Sequence, residues 1–335
     1  MNPLTGLYSA ATSFRNALFD RGLLASRRLE QPVVSVGNLS AGGSGKTPFV
    51  IALGELLKAR GIRFDVLSRG YRRKTRGVLE VEPDGDAADF GDEPLLIARR
   101  LGVPVVVGES RYDAGRVAEQ KFQPQLHILD DGFQHRSLAR DFDIVLMTER
   151  DFEDKMLPAG GLREPLSSLR RADAIVLPQE CSGPDVLAPN AVLDMFASRG
   201  KPIWRMQREI VVSPASAAPV VFCGIARPRQ FFAQVRAAGI IPAAEVEFRD
   251  HHRYDGGDVD RLHAMRVQFG AGGFLTTEKD AVNLGSLQAR LDPLVIASLR
   301  LAICRPVDVV DLILARTISS NNKNHSTIDE RKHRS

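Results

Sequence analysis

Val33-Val-Ser-Val-Gly-Asn-Leu-Ser40-Ala-Gly-Gly-Ser-Gly45-Lys46-Thr47-Pro48 decides the reading of this chain. Val33 to Val36 is a short apolar run of the kind that makes a buried strand, a glycine-rich turn follows, and Pro48 to Arg60 carries a helical pattern that Gly61 ends. Strand, glycine-rich turn and helix in that order are the context a P-loop requires. Gly42, Gly43, Ser44 and Gly45 let backbone N–H groups turn inward around phosphate oxygens, and the helix N-terminus adds a partial positive charge. Lys46 is then placed to bridge the β- and γ-phosphates and Thr47 to ligate Mg²⁺. The first glycine of the usual pattern is replaced by Ser40.

Working outward, strands are expected at 63–68, 104–107, 126–129, 142–147 and 173–177. Helical stretches near 93–101, 111–121 and 185–199 separate several of them, which favours a parallel sheet with crossover helices. The periodicity lapses after Gly200, Trp204 to Val212 reads as extended, and Pro214 to Pro219 as a linker. A second α/β unit follows, with strands at 220–223 and 272–276 and helices at 229–238 and 306–316. The chain therefore divides into an N-terminal helix (1–28), a P-loop domain (29–203), a linker (204–218), a second α/β domain (219–316) and a polar, disordered tail (317–335).

In the first segment Leu4, Leu7, Tyr8, Ala11, Phe14 and Leu18 form one apolar stripe, with Arg15 near its edge and Arg21, Arg27 and Arg28 following. Such a face rests either on an anionic membrane surface or on its own domain, and the pattern alone leaves both open. No apolar run reaches ~18 residues, which excludes an integral membrane protein. No secretory leader is evident, so the chain is expected to stay in the cytoplasm. Cys181, Cys223 and Cys304 are far apart without a CxxC pair and read as reduced core residues. Of the net charge of +4, the tail carries +2, and a body at +2 is far from a nucleic-acid binder.

A metal-bound nucleotide needs a second acidic anchor, and Leu126-His-Ile-Leu-Asp130-Asp131 supplies an apolar strand ending in carboxylates. Asp130 is expected to hold Mg²⁺ directly or through water, with Asp131 supporting the metal or its water shell. A GTPase is disfavoured because Thr277-Glu-Lys-Asp280 has its lysine at the wrong offset for base reading. A partitioning ATPase is disfavoured because no lysine stands near Ala41. His127, inside its strand, reads as structural.

Taken together, SVGNLSAGGSGKTP, SRGYRR, GDEPLLIA, ILDDGFQH, GLREP, DHHRY and TTEKDAV, in order from Pro32 to Ala281, resemble the tetraacyldisaccharide 4′-kinase family. The resemblance implies a P-loop NTPase-like α/β/α domain and a smaller α/β/α domain joined by an extended two-stranded linker. It implies ATP- and Mg²⁺-dependent phosphorylation of the 4′-hydroxyl of an acylated glucosamine disaccharide 1-phosphate, giving lipid IVA in lipid A biosynthesis. It further implies peripheral attachment to an anionic membrane surface, the cytoplasmic face of the bacterial inner membrane, with no obligate protein partner. By the same resemblance Asp92 is the general base assisted by His251, Glu93 and Arg163 lie near the phosphates, and Tyr71, Arg111, Gln134 and His135 contact substrate. The rival readings are a P-loop kinase for a soluble acceptor and a membrane-associated ATPase switch that transfers no phosphate.

Overall fold

The computed structural model describes residues 3–42, 45–178, 190–213 and 218–317. Gly43, Ser44, Cys181, most of the linker at 214–219 and the tail beyond Thr317 lie outside the described residues. Strands run in chain order as β1 (Val33–Asn38), β2 (Phe64–Ser68), β3 (Leu79–Glu80), β4 (Val105–Val107), β5 (Leu126–Asp130) and β6 (Phe142–Leu146). They continue as β7 (Ala174–Pro178), β8 (Ile203–Val211), β9 (Val220–Cys223), β10 (Ala244–Glu247), β11 (Phe274–Thr277) and β12 (Leu294–Ile303). The helices are α1 (Pro3–Asp20), α2 (Lys46–Ala59), α3 (Ala87–Phe90), α4 (Asp92–Leu101) and α5 (Arg111–Phe122). After them come α6 (Ala191–Ser198), α7 (Pro228–Ala237), α8 (Gly256–Gln268), α9 (Glu278–Leu284) and α10 (306–317).

All twelve strands join one mixed sheet in the order β10-β9-β11-β12-β8-β7-β6-β1-β5-β2-β4-β3. β1 is central to the P-loop half, parallel to β5 on one side and β6 on the other. Successive strand residues point to opposite faces. Val34 and Val36 accordingly meet Phe49 and Leu53 of α2 and Leu95 of α4, while Val33 faces Ala114 and Ala118 of α5. In the other half Phe222 packs toward Val259 and Leu262 of α8, and Val221 toward Phe231 and Val235 of α7. Helices thus cover both faces of each half.

The halves are joined through β8 and β12. The start of β8 runs parallel to β7, and its end runs antiparallel to β12, with Glu209 opposite Arg300. β12 in turn begins parallel to β11 and continues along β8. The linker expected at 204–218 therefore takes in one strand of this ribbon, while its partner comes from 294–303, a stretch that the sequence reading left without structure. A second difference concerns 306–316, expected in the second domain. Val309, Val310 and Ile313 of α10 instead join the core of the P-loop half, and Asp311 pairs with Arg60 at 2.8 Å. β12 has carried the chain back across the sheet, so chain order misassigns the helix.

Cys223 is a buried free thiol, as expected, and burial pushes its pKa up. Cys304 is disulfide-bonded, against the expectation of a thiol. No helix is long and apolar enough to cross a membrane, among the described residues.

Candidate active site

The P-loop residues sit where β1 ends. Asn38, the last residue of β1, donates to the Ser40 carbonyl at 2.7 Å and so turns the chain out of the sheet. Gly45 caps α2 with φ 88°, a conformation open to glycine at little cost, and a Cβ there would stand 2.6 Å from the Arg208 guanidinium. Gly37 has the same lack of space: a Cβ would lie 2.6 Å from that of Phe133, so its absence lets the Asp130–Phe133 turn pack against the P-loop strand. Residues 161–163 run beside this entry, with Ala41 donating to the Gly161 carbonyl and Arg163 to the Leu39 carbonyl, both at 2.7 Å.

That pairing brings Arg163 against Asp131. Two guanidinium nitrogens each reach a carboxylate oxygen at 3.1 Å, and Lys46 approaches the same group at 3.4 Å. Lys46 also donates to Asn38 Oδ1 at 3.0 Å, an oxygen that accepts from Arg163 as well. Burial alone would raise the pKa of Asp131, but Lys46 and Arg163 overcome it and hold the carboxyl down at about 2.

Asp130 is its opposite. It ends β5 almost wholly buried, accepts from Ser68 Oγ at 3.0 Å through Oδ2, and leaves Oδ1 without a hydrogen-bond partner. Burial first, then the neighbouring carboxylates Glu93 and Asp131, push it up to about 7. A buried carboxyl oxygen of this kind, near the hydroxyl-bearing Thr47, suits a hard divalent cation. Among the described residues no three His, Cys, Asp or Glu side chains form a cage of their own, so such an ion would complete its shell with phosphate oxygens and water.

Across the cavity Asp92 and His251 meet although they are 159 residues apart. His251 Nδ1 is 2.7 Å from Asp92 Oδ2, and the ring of Tyr71 meets the imidazole edge-on at 5.4 Å. Asp92 is the first residue of α4, where the backbone N–H of Glu93 donates to it at 3.0 Å. Burial opposes its ionisation, but the His251 hydrogen bond and the charge of Lys279 prevail and hold it at about 2. Arg72 clamps the opposite loop, reaching the Asp250 carbonyl at 2.9 Å and that of His251 at 3.4 Å. His252 is turned away, bonded to Asp258 at 2.7 Å.

One cavity of 560 Å³ is lined by Gly42, Gly45, Lys46, Thr47, Tyr71, Asp92, Glu93, Asp130, Asp131, Arg163 and His251, with Lys279 beside them. Arg111, Gln134 and His135 do not line it. Arg111 is buried at the start of α5, donating to the Glu109 carbonyl at 3.0 Å, and burial and the neighbouring Arg69 lower it to about 10. The Gln134 side-chain amide donates to the Asn38 backbone carbonyl at 2.9 Å, and the Gln134 backbone carbonyl accepts from Arg15 of α1 at 3.2 Å. His135 is lowered to about 4 by burial and then by Arg111, Arg140 and Arg15. Of these three, Arg111 is the cation next to the aspartates, with the uncharged Gln134 and His135 beside it under α1. Asn38, Ser68, Lys279 and Asn283 belong to the site and were not singled out from sequence. Asn38, Ser68 and Lys279 nonetheless lay in strings already marked, SVGNLSAGGSGKTP, SRGYRR and TTEKDAV.

The family model of tetraacyldisaccharide-1-P 4′-kinase matches residues 1–317. The chain belongs to this family. A tetraacyldisaccharide 4′-kinase of Koribacter versatilis is 48% identical over 304 residues, covering 88% of this chain and 91% of the relative. That of Aquifex aeolicus is 40% identical over 299 residues, covering 84% and 88%. The crystal structure of the Aquifex aeolicus family member in complex with ATP superimposes with a TM-score of 0.76 at 35% identity, over 94% of this chain and 98% of that one. The fold is thus that of a P-loop kinase, and the enzyme is a kinase.

Proposed function

We propose that the protein transfers the γ-phosphate of ATP to the 4′-hydroxyl of tetraacyldisaccharide 1-phosphate, forming lipid IVA, while seated on the cytoplasmic face of the inner membrane. The observation that carries this reading is a single cavity holding a P-loop lysine and threonine on one wall and a buried carboxylate–imidazole pair on the other, in a chain of this family. Residues 29–202 with α10 act as the nucleotide lobe and 219–293 as a closing lobe, with the β8·β12 ribbon between them.

In this reading the α2 N-terminus and Lys46 take the phosphates, and Asp131 and Arg163 aim Lys46. Thr47 and Asp130 would hold Mg²⁺, with Asp131 at its water shell, and the ion would offset negative charge on the phosphoryl oxygens. Asp92 stays ionised at any physiological pH and accepts the hydrogen bond of the attacking hydroxyl. As the 4′-oxygen–phosphorus bond forms and the bond to the β-phosphate oxygen breaks, the hydroxyl becomes strongly acidic, so a weakly basic carboxylate suffices to take its proton. His251 keeps that carboxylate oriented. Glu93 lies beside the phosphates, Tyr71 at the cavity mouth receives the sugar, and Arg111, Gln134 and His135 supply positive field and polar contacts toward the 1-phosphate end.

The test is incubation of the purified protein with γ-labelled ATP, Mg²⁺ and detergent-dispersed acylated disaccharide 1-phosphate. Label on the 4′-oxygen is expected, and no label with Lys46→Ala or Thr47→Ala. Equal labelling of a deacylated disaccharide would overturn the lipid acceptor, and phosphate release without a labelled product would overturn transfer.

A further inference from the structure

The TTEKDAV segment marked in the sequence has no part in the mechanism above, yet it forms the end of β11 and the first turn of α9 at the edge of the cavity. Asp280 makes that turn rigid. Fully buried, it accepts from the Gly224 backbone at 2.8 Å, the Tyr254 hydroxyl at 2.9 Å and Thr277 Oγ1 at 2.6 Å. Thr277 returns a bond by accepting from the Asp280 N–H, capping the helix. Lys279 therefore projects from a fixed base toward the start of α4.

Its mostly buried ammonium lies 3.3 Å from His251 Nε2, 3.4 Å from Glu93 Oε1, 3.5 Å from Asp250 Oδ1 and 3.7 Å from Asp92 Oδ2. An ammonium has donors and no acceptor, so the imidazole nitrogen facing it must accept. The ring proton is then on Nδ1, the nitrogen that faces Asp92 at 2.7 Å. Four residues further along α9, and so on the same helix face, Asn283 Nδ2 donates to the same Asp92 oxygen at 3.3 Å.

We propose that Lys279 is a positioning residue, which holds His251 in the neutral Nδ1–H tautomer that donates to Asp92 and assembles the pair only when α9 meets α4. This rests on the reading of Asp92 and His251 as the catalytic pair. The groups facing the imidazole are Asp92 and Glu93 from α4, Asp250 from its own loop, Lys279 from α9, and Tyr71 and Arg72 from the 71–73 turn. Lys279 and Arg72 are the cations among them. Without Lys279 three carboxylates face the ring with one cation, the imidazolium is favoured, and Asp92 becomes locked to a charged partner.

The experiment measures the His251 midpoint in the full-length protein by NMR of ¹³Cε1-labelled histidine, assigned with His251→Gln, beside kcat and KM for ATP as functions of pH. In Lys279→Met the midpoint is expected to rise by about one unit, the acidic limb of kcat to move with it, and kcat near neutrality to fall about tenfold or more with KM for ATP within about threefold. Lys279→Arg should restore the midpoint. Lys279→Gln, neutral but still a donor of similar reach, must show the same rise and serves if the methionine variant does not fold. An unmoved midpoint, or a raised midpoint with kcat within about twofold of wild type, overturns the proposal. Near-normal turnover in Asp92→Asn overturns the catalytic pair and this role with it, whereas a crippled Asp92→Asn beside an intact Lys279→Met overturns the role of Lys279 alone.

Discussion

At the scale of single residues, the chemistry depends on how each charge is balanced. Asp92 and His251 are bonded directly and each loses its function without the other, so their losses should not add. Asp92→Ala and His251→Ala are each expected to lower kcat by ~10²-fold, with the double variant little worse than the worse single one and His252→Ala much milder. Steady-state kinetics on the four proteins decides it, and additive losses would count against a shared role. His127 is the contrasting case. It is wholly buried in β5, 2.8 Å from Asp65 and 3.4 Å from Glu119, and although burial works against it, these carboxylates raise it to about 9. A histidine raised above its unfolded pKa of ~6.5 adds stability in full below that value and loses it as pH climbs through the folded one. Unfolding free energy should therefore fall by on the order of 2 kcal/mol between pH 7 and pH 10, a fall that an Asp65→Asn/His127→Gln double variant abolishes. Denaturant titration across that range measures it. The P-loop and the paired aspartates were legible because their residues are consecutive and their chemistry is local. Lys279, Asn38 and Asn283 were not, since each acquires meaning only from a partner that the fold supplies.

At the scale of elements, α1 reverses the usual amphipathic rule. Its docked face is the more polar one. Asn16 is buried and donates to Glu164 at 2.6 Å, the Tyr8 hydroxyl reaches the Arg163 carbonyl at 3.2 Å, and Arg136 bonds the Asn16 carbonyl at 2.9 Å. Leu4, Leu7 and Phe14 are left 61%, 70% and 65% exposed, with Leu23 exposed beyond them. A sequence pattern locates such a stripe but cannot say which side docks, because polar side chains with buried partners compete with apolar ones for the interior. The basic flank contributes less than expected: Arg28 is paired with Asp141 at 2.7 Å, and Arg27 lies over the Tyr112 ring at 3.5 Å. We therefore expect the membrane reading to rest on apolar insertion more than on charge. Leu7→Glu with Phe14→Glu should release the protein from anionic vesicles while changing stability by less than about 0.5 kcal/mol. Asn16→Ala, on the docked face, should cost about 1–3 kcal/mol by leaving Glu164 short of a buried partner. Vesicle co-sedimentation beside calorimetry separates the outcomes, and unchanged sedimentation of the double glutamate variant would defeat lipid contact through this stripe.

At the scale of the whole molecule, the sheet explains why function needed a fold that the chain order concealed. β12 changes partner part-way, parallel to β11 at first and antiparallel to β8 afterwards, so no single periodicity marks it as a strand. Across the cavity the two halves touch through Val282 of α9, which joins the core of the P-loop half, and through polar groups. Besides Asp92 with His251 these are Arg100 with Glu278 at 2.6 Å, Lys279 with Glu93, Arg72 with the carbonyls of Asp250 and His251, and Arg253 with the Arg72 carbonyl at 2.6 Å. The Arg72 and Arg253 contacts are exposed and individually weak, whereas Asp92, His251, Lys279, Arg100 and Glu278 are mostly buried, so opening for substrate entry has to separate and rehydrate these charges. ATP and Mg²⁺, bound on the α2 side, would add the interactions that favour closure, as in other kinases whose lobes close over their ligands. Hydrogen exchange should then show slower exchange at 249–254 when ATP and Mg²⁺ are present, with the amides of β11, already in the sheet, unchanged. Arg72→Ala removes the clamp on that loop without touching Lys46, Thr47 or Asp130. It should reduce the ATP-induced protection and lower kcat while leaving the KM for ATP within about threefold. Protection at 249–254 that is the same with and without nucleotide would mean that the halves do not close around ATP, and the ribbon of β8 and β12 would then be a fixed strut instead of a hinge.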